Sequence, residues 1–459
     1  MCEEKQPMAR ALDPLKDFQW TPQPEAEAVV LELTSSCLGA LPFVRFLGER
    51  MSSEAGVRLH DCVGHFGLPR GAWEGRVAEA GWQLEVAEGG LDVYVQPQGI
   101  FPSIVFGGST QELGLKVESV PDFLAAQGMS QRIVGDPLTD VRWATVGEGG
   151  GWRAVVIERH GTRSFLPART DARRAVLRMK HLEAFRTRRR HFETDAQGFA
   201  HANELVDAAV AELGKGLACD LFFAAEREYW QRRNTAAKVQ YARQSRLGIG
   251  WANHDHHTYR CSRANLTSLV SVWEKLGFKL RERYHAGAQA GWGAQVMEQP
   301  DTGIITFNDV DLSPDELFED FAHERLPQRE QLGTVGLWCA LHGDSFLQAG
   351  MHHLECMFGF DALREQLESQ AGIKTMKPFT DFPHLRQAFT EGERWRVAEA
   401  RLEALLARGQ ITAEQAGTFR ETGALGSHLE NLERNAGFKG FNQKGVSEII
   451  AATDARRHA

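Results

Sequence analysis

Histidine is the residue type in this chain best placed to do chemistry. His254, His256 and His257 cluster around Asp255, and a second pair, His352-His353, follows well downstream. Neutral imidazole is the commonest protein ligand for iron, zinc, nickel and copper. Both clusters sit in segments with strand character, where neighbouring side chains point to opposite faces. His256 and His257 are therefore expected on opposite sides, as are His352 and His353, while His254, His256, Thr258 and Arg260 share a face. One ligand per pair is the expectation. The plainer reading of any single histidine is a core or surface residue with hydrogen-bonded ring nitrogens. Two pairs at strand starts, each followed by carboxylates, favour a metal site instead.

Carboxylates that could complete such a site are Glu298 in QVMEQP, Glu355 in HHLECMF, and Glu430 and Glu433 in SHLENLERN, with His428 in the last segment as a further alternative ligand. Two histidines and one carboxylate leave adjacent positions open, which Fe(II) needs to take a chelating substrate and O2 together. Arg260 lies four residues beyond His256, with its Cα about 13 Å away at strand rise. Its guanidinium fork suits the far carboxylate of a metal-bound acid, and a surface salt bridge is the competing reading. His254-x-His256 is also the ligand spacing of a cupin, but the glutamate expected soon afterwards is missing. His60, Asp61, Cys62 and His65 follow no spacing rule for thiol chemistry, so a buried structural cysteine is favoured there.

The elements that must position these residues fall into three regions. From Glu25 a stretch of helical period is followed by the alternating segments LDVYVQ, SIVFGG, LGLKVESV, DVRWATVG and WRAVVIERHG, with GEGGG (147–151) as a hairpin loop, giving an α+β domain over 1–168. Residues 169–246 read as a helical connector opened by Thr170-Asp171, and RTRRRH (186–191) as a solvated basic face on a helix. Residues 247–459 carry a strand, the helix ANLTSLVSVWEKLGF, and three more strands, which is a βαβββ unit. The pattern recurs more loosely, with GTVGLWCAL and AGMHHLECMF as strands and a helical insertion over 391–424. Two such units make a half-barrel around one cavity.

With 459 residues, 42% hydrophobic and 25% charged, the chain is long enough for two domains, and disorder and disulfide miniproteins are excluded. Lys and Arg total 52 against 61 Asp and Glu, a net charge of −9, so no overall positive field draws it to nucleic acid or anionic lipid. Seven cysteines without a C-x-x-C pair fit reduced thiols. No signal peptide or long uncharged run is readable, so a cytoplasmic protein is expected, with no membrane or nucleic-acid partner.

Three short motifs in order resemble the 2-oxoadipate dioxygenase/decarboxylase (hydroxyglutarate synthase) family of the vicinal oxygen chelate superfamily, over about residues 225–450. DHHTYR (255–260) is similar to its first strand R-H-G-A-I-R, which implies His256 as first metal ligand and Arg260 as carboxylate-binding arginine. His352-His353-Leu354-Glu355 is similar to N-H-L-T, which implies His353 as second ligand. GSHLENLERNAGFKGFNQKG is similar to the family's G-S-H, glutamate strand and K-G, which implies Glu433 as third ligand with Glu430 in reserve. The family's H-S-T-A-F-R strand is replaced by WGAQVMEQP, and residues 1–170 have no counterpart in it. The resemblance implies an Fe(II) enzyme, or one using another divalent transition metal, that decarboxylates a small 2-oxo acid with O2 and hydroxylates the shortened acid. The alternatives are a divalent-metal isomerase, lyase or hydrolase in which Glu298 or Glu355 moves a proton, and a non-catalytic protein that binds acidic metabolites. The N-terminal region is expected to be metal-free and to act as a lid or assembly surface.

Overall fold

The computed structural model describes residues 20–167, 169, 171–286, 290–442 and 453–459. The amino terminus read above for a signal peptide, Thr170, and the end of the FNQKG segment lie outside the described residues. The long helical period from Glu25 is divided into α1 (Pro24–Ala40) and α2 (Pro42–Ala55), bent by 117°. Pro42 has no N–H to donate, and the residue before a proline is driven out of the helical region; Leu41 sits at φ −120°, ψ 98°. Among the described residues no single helix is long and apolar enough to cross a membrane; only this bent pair has the length and composition to do so together. Val29, Leu33, Leu47 and Met51 of the pair are buried in the main core.

The N-terminal sheet follows as β1 (Val63–Leu68), α3 (Ala72–Glu79), β2 (Gln83–Glu88), β3 (Leu91–Val95), β4 (Ser103–Phe106), β5 (Gln111–Lys116), α4 (Val120–Ala126), β6 (Val141–Gly149) and β7 (Trp152–Arg159). The strand order is β2-β3-β4-β1-β5-β7-β6, with β1–β4 and β5–β7 parallel and β1–β5 antiparallel. β1 to β4 is therefore a βαβββ unit, and β5 to β7 is a second one short of a strand.

Four helices come next: α5 (Ala172–Arg186), α6 (Asp195–Leu213), α7 (Lys215–Arg232) and α8 (Thr235–Ser245). Asp171 caps α5 by accepting the Arg173 N–H. The basic run at 186–191 is not a solvated helical face. The helix ends at Arg186, and Arg188 and Arg190 turn inward to share the buried Glu226 carboxylate of α7. Each guanidinium also lies on an aromatic ring, Phe346 at 4.7 Å and Tyr229 at 3.7 Å. Paired this way, and donating to the Phe346 and Leu347 carbonyls, the arginines tie the helical layer to the 345–349 turn that precedes β12.

That sheet is built from β8 (His254–Arg260), α9 (Leu266–Lys275), β9 (Lys279–His285), β10 (Trp292–Glu298) and β11 (Ile305–Asp311), then α10 (Thr334–His342), β12 (His353–Met357), α11 (Phe360–Ala371), β13 (Thr380–Phe382), β14 (Leu385–Phe389), β15 (Arg394–Trp395), α12 (Glu399–Ala407), α13 (Ala413–Thr422), β16 (Ala424–Leu425) and β17 (His428–Arg434). Its order is β13-β14-β17-β12-β8-β11-β10-β9. β8 to β11 form one βαβββ unit, and β12 to β17 form a second, interrupted by α12 and α13. The antiparallel β8–β12 pair joins them. GTVGLWCAL, expected as a strand, is α10: it is apolar throughout, and its length alone does not separate a buried helix from a buried strand. Tyr259 and His257 project behind the sheet into an aromatic layer of Phe223, Trp273 and Phe278. The opposite face is left open for a cavity.

Candidate metal centre

The inward positions of β8, β12 and β17 are two residues apart on each strand, and the register aligns them. Thr258 stands opposite His353, and Glu355 lies beside Glu430. His256, Thr258, Arg260, His353, Glu355 and Glu430 all face one cavity with about 470 Å3 not filled by atoms, its mouth included. His256 Nε2 is 2.8 Å and His353 Nε2 2.5 Å from the same oxygen, Glu355 Oε1, and Thr258 Oγ1 donates to that oxygen at 2.9 Å. Glu430 Oε2 is 3.6 Å from His353 Nε2, and its other oxygen accepts from Gln387 Nε2 at 2.9 Å. The ligand-type atoms of His256, Glu355 and Glu430 lie within 4.8 Å of one another.

The far nitrogen of each imidazole is held. Asp255 Oδ2 is 2.7 Å from His256 Nδ1. Burial would raise this carboxyl, but the Arg434 guanidinium, donating at 2.9 and 3.1 Å, and the His256 ring hold it well below its ordinary range. An ionised carboxylate only accepts, so Nδ1 of His256 carries the hydrogen and Nε2 turns its lone pair to the cavity. His353 Nδ1 is 2.8 Å from His428 Nε2. Donation from His353 to His428 gives His353 the same orientation. Burial lowers His256 and His353 below the ordinary imidazole value, and pushes His428 down to about 3. Burial also raises both carboxyls, Glu430 to about 7 and Glu355 well above its ordinary value with the charge of Glu430 adding to it. Two neutral imidazoles and two carboxyls around one point suit a divalent cation, or in its absence a shared proton.

Arg260 and Asp309 face each other deeper in the cavity, Nε to Oδ2 at 3.8 Å. Burial pushes the Asp309 carboxyl up to about 8 against the pull of Arg260, so near neutrality the guanidinium keeps most of its charge uncompensated. The remaining wall is aromatic, with Tyr284, Trp292, Phe307, Phe379, Phe389 and Phe441. The segment after β17 lines the cavity with Phe441 and Asn442 and is held there: Arg434 Nη1 donates to the carbonyls of Phe438 and Gly440, and Tyr284 Oη to that of Asn442.

Not every residue singled out from sequence reaches this point. Glu433 is on the other face of β17, odd in number where His428 and Glu430 are even, and its carboxylate accepts the Phe360 N–H at 2.7 Å. Glu430, the reserve candidate, faces the cavity instead, 3.6 Å from His353 Nε2. Glu298 is at the far end of β10, 3.7 Å from Arg281 and 3.5 Å from Lys439. His257 is behind the sheet, its Nε2 3.3 Å from Arg227. His254 turns to the same side, its ring 5.3 Å from that of His257, across a register shift in the β8–β12 pair; this removes the cupin spacing. His352 precedes the first residue of β12, escapes strict alternation, and lines the cavity between Trp338 and His428. Sequence reasoning missed Asp309, Gln387 and Arg434, and gave no role to Thr258, which it placed on the face of His256. Of the missed residues, Asp309 was findable from strand parity. Cys62 is fully buried and its thiol is pushed up to about 12 by burial, in keeping with a structural cysteine.

No family model and no curated protein matches the chain. Solved structures do. One described as a putative glyoxalase superfamily protein from Ralstonia eutropha is 13% identical, covers 58% of this chain and 96% of its own, and has a TM-score of 0.32. A mutant of 4-hydroxymandelate synthase from Streptomyces coelicolor is 14% identical, with 86% and 98% covered and a TM-score of 0.24. Methylmalonyl-CoA epimerase from Mycobacterium tuberculosis is 13% identical, with 40% and 89% covered and a TM-score of 0.24. By its own strand order, two βαβββ units around one cavity, the C-terminal half has the vicinal-oxygen-chelate fold, and a second sheet of related connectivity precedes it.

Proposed function

We propose that the protein is a mononuclear metal-dependent dioxygenase/decarboxylase acting on a small 2-oxo acid. His256, His353 and Glu430 would hold the metal, with Fe(II) the best fit to two imidazoles and a carboxylate. The observation that carries this reading is one buried cluster in which the His256 and His353 nitrogens meet at Glu355 Oε1 and the Glu430 carboxylate lies 3.6 Å from His353, both imidazoles being fixed from behind. Glu430 completes the site as the resemblance implies, with Glu355 as the alternative carboxylate ligand. When bound, the metal supplies a chelation point for a 2-oxo acid and redox chemistry with O2.

The chain's own residues do the rest. Arg260 binds the substrate's distal carboxylate, Asp309 stays largely neutral and leaves that charge available, and the aromatic wall excludes water. Thr258 fixes the Glu355 carboxyl, and Gln387 fixes that of Glu430. Domain roles are assigned on the same reading: catalysis in residues 247–459, support from the helical connector at 169–246, and none of the chemistry in 1–168.

Glu355 favours a second reading. A buried second carboxyl with a raised pKa is the group a metal-dependent isomerase or lyase would use to move a proton. Oxygen consumption across a panel of 2-oxo acids separates the two, since proton transfer consumes none.

A further inference from the structure

The N-terminal sheet turns a face away from its helices, as the C-terminal sheet does around the metal centre. Phe66, Leu113, Leu115 and Val156 point into the core, and His65, Lys116, Arg153 and Arg159 project from the other side. We propose that Lys116 and Arg159 form a binding site there for a small oxyanion, a phosphate or a carboxylate.

The stem of Lys116 and the guanidinium of Arg159 pack over the same glycine. A Cβ on Gly64 would lie 2.7 Å from Lys116 Cγ and 3.0 Å from an Arg159 terminal nitrogen, so this residue leaves the space they occupy. The other charges nearby are matched: Arg153 and His65 share Glu112, and Arg163 pairs with Glu85. Lys116 and Arg159 have no carboxylate within 4 Å among the described residues. Two aspartates act on Lys116 from further off, Asp61 and Asp255, but each is already engaged, by Arg58 and Arg434.

The segment after β7 folds back over the face. Phe165 lies 4.7 Å from the Arg159 guanidinium carbon and 4.8 Å from the His65 ring, packing against both. Burial lowers Lys116 and pushes Arg159 down to about 10. Two half-buried like charges under an apolar roof repel each other unless an anion joins them. An oxyanion offers several acceptor oxygens, which match one guanidinium fork and one ammonium. A metal is excluded by the same charges.

The test is titration calorimetry on the full chain at fixed ionic strength, with inorganic phosphate and with succinate in separate experiments. Saturable binding of either is expected, weakened by at least about tenfold in Lys116→Gln and in Arg159→Gln. Whichever anion binds identifies the class. Arg260→Ala must leave this binding intact, which separates it from acid binding at the metal centre and from any failure of the proposed activity. A second readout is the anion-free melting temperature, which should stay level or rise in Lys116→Gln because a repelling charge is gone. No saturable binding of either anion, equal binding in wild type and both variants, or a marked loss of anion-free stability in Lys116→Gln would each overturn the proposal.

Discussion

Asp255→Asn probes the support behind the proposed metal ligand His256. The carboxylate accepts 2.9 and 3.1 Å bonds from Arg434 and lies 2.7 Å from His256 Nδ1, with all three side chains buried. An asparagine fills the same volume but removes the charge and turns one acceptor into a donor. Losing one member of a buried ion pair costs about 3–5 kcal/mol. Here the low end applies, because Arg434 keeps its bonds to the Phe438 and Gly440 carbonyls. Separately, losing the group behind a ligating histidine lowers metal affinity by roughly 10- to 100-fold, about 1.4–2.7 kcal/mol. Denaturant unfolding of the metal-free protein reads the first effect, and competition against a chromophoric chelator reads the second. Adding Arg434→Met should return much of the stability, since no charge is then left unpaired, without returning the affinity. Wild-type metal affinity in Asp255→Asn would refute His256 as a ligand oriented by this carboxylate.

Four further outcomes are expected. Glu430→Gln should lose metal retention and Glu433→Gln should keep it, read by metal content after desalting, since only the first faces His353. Arg260→Ala should keep its metal but lose about 2–5 kcal/mol of diacid binding, roughly 30-fold to several thousand-fold, with Arg260→Lys recovering part. In wild type, acid binding should weaken as pH rises through about 8, where Asp309 ionises and competes for Arg260, and Asp309→Asn should remove that dependence. His160, 2.9 Å from Asp220, ties the end of β7 to α7. Burial opposes its charge, but the Asp220 carboxylate outweighs that and raises its pKa above the ordinary 6.5. A raised folded value contributes stability that is complete below 6.5 and lost as pH rises through the folded value; melting temperatures should show this, and Asp220→Asn should flatten it.

The βαβββ pattern from residue 248 was legible because apolar alternation, one amphipathic helix and turn residues follow in order. The inward set was legible where the strand register is regular, as for His256 against His257, but not at His254, which the register shift turns to the other side. It failed where parity was not enforced. Glu433 was chosen by motif position although His428 and Glu430 already fixed the other face, and His352 was assigned outward although it precedes its strand. α10 was misread because nine mostly apolar residues show no period. The basic run at 186–191 was misjudged because net charge says nothing of a buried partner such as Glu226, which is distant in sequence. The kinship in connectivity between the two sheets was invisible, since connectivity leaves no mark on composition and His65, Glu112 and Arg153 do not resemble the C-terminal ligands.

The central claim is tested most directly by reconstituting the protein with Fe(II) and following O2 uptake and CO2 release together over a panel of 2-oxo acids. The expected result is equimolar O2 consumption and CO2 release with at least one of them, abolished in His256→Ala and His353→Ala. Turnover of a substrate without O2 consumption, or wild-type uptake in His256→Ala, would contradict it.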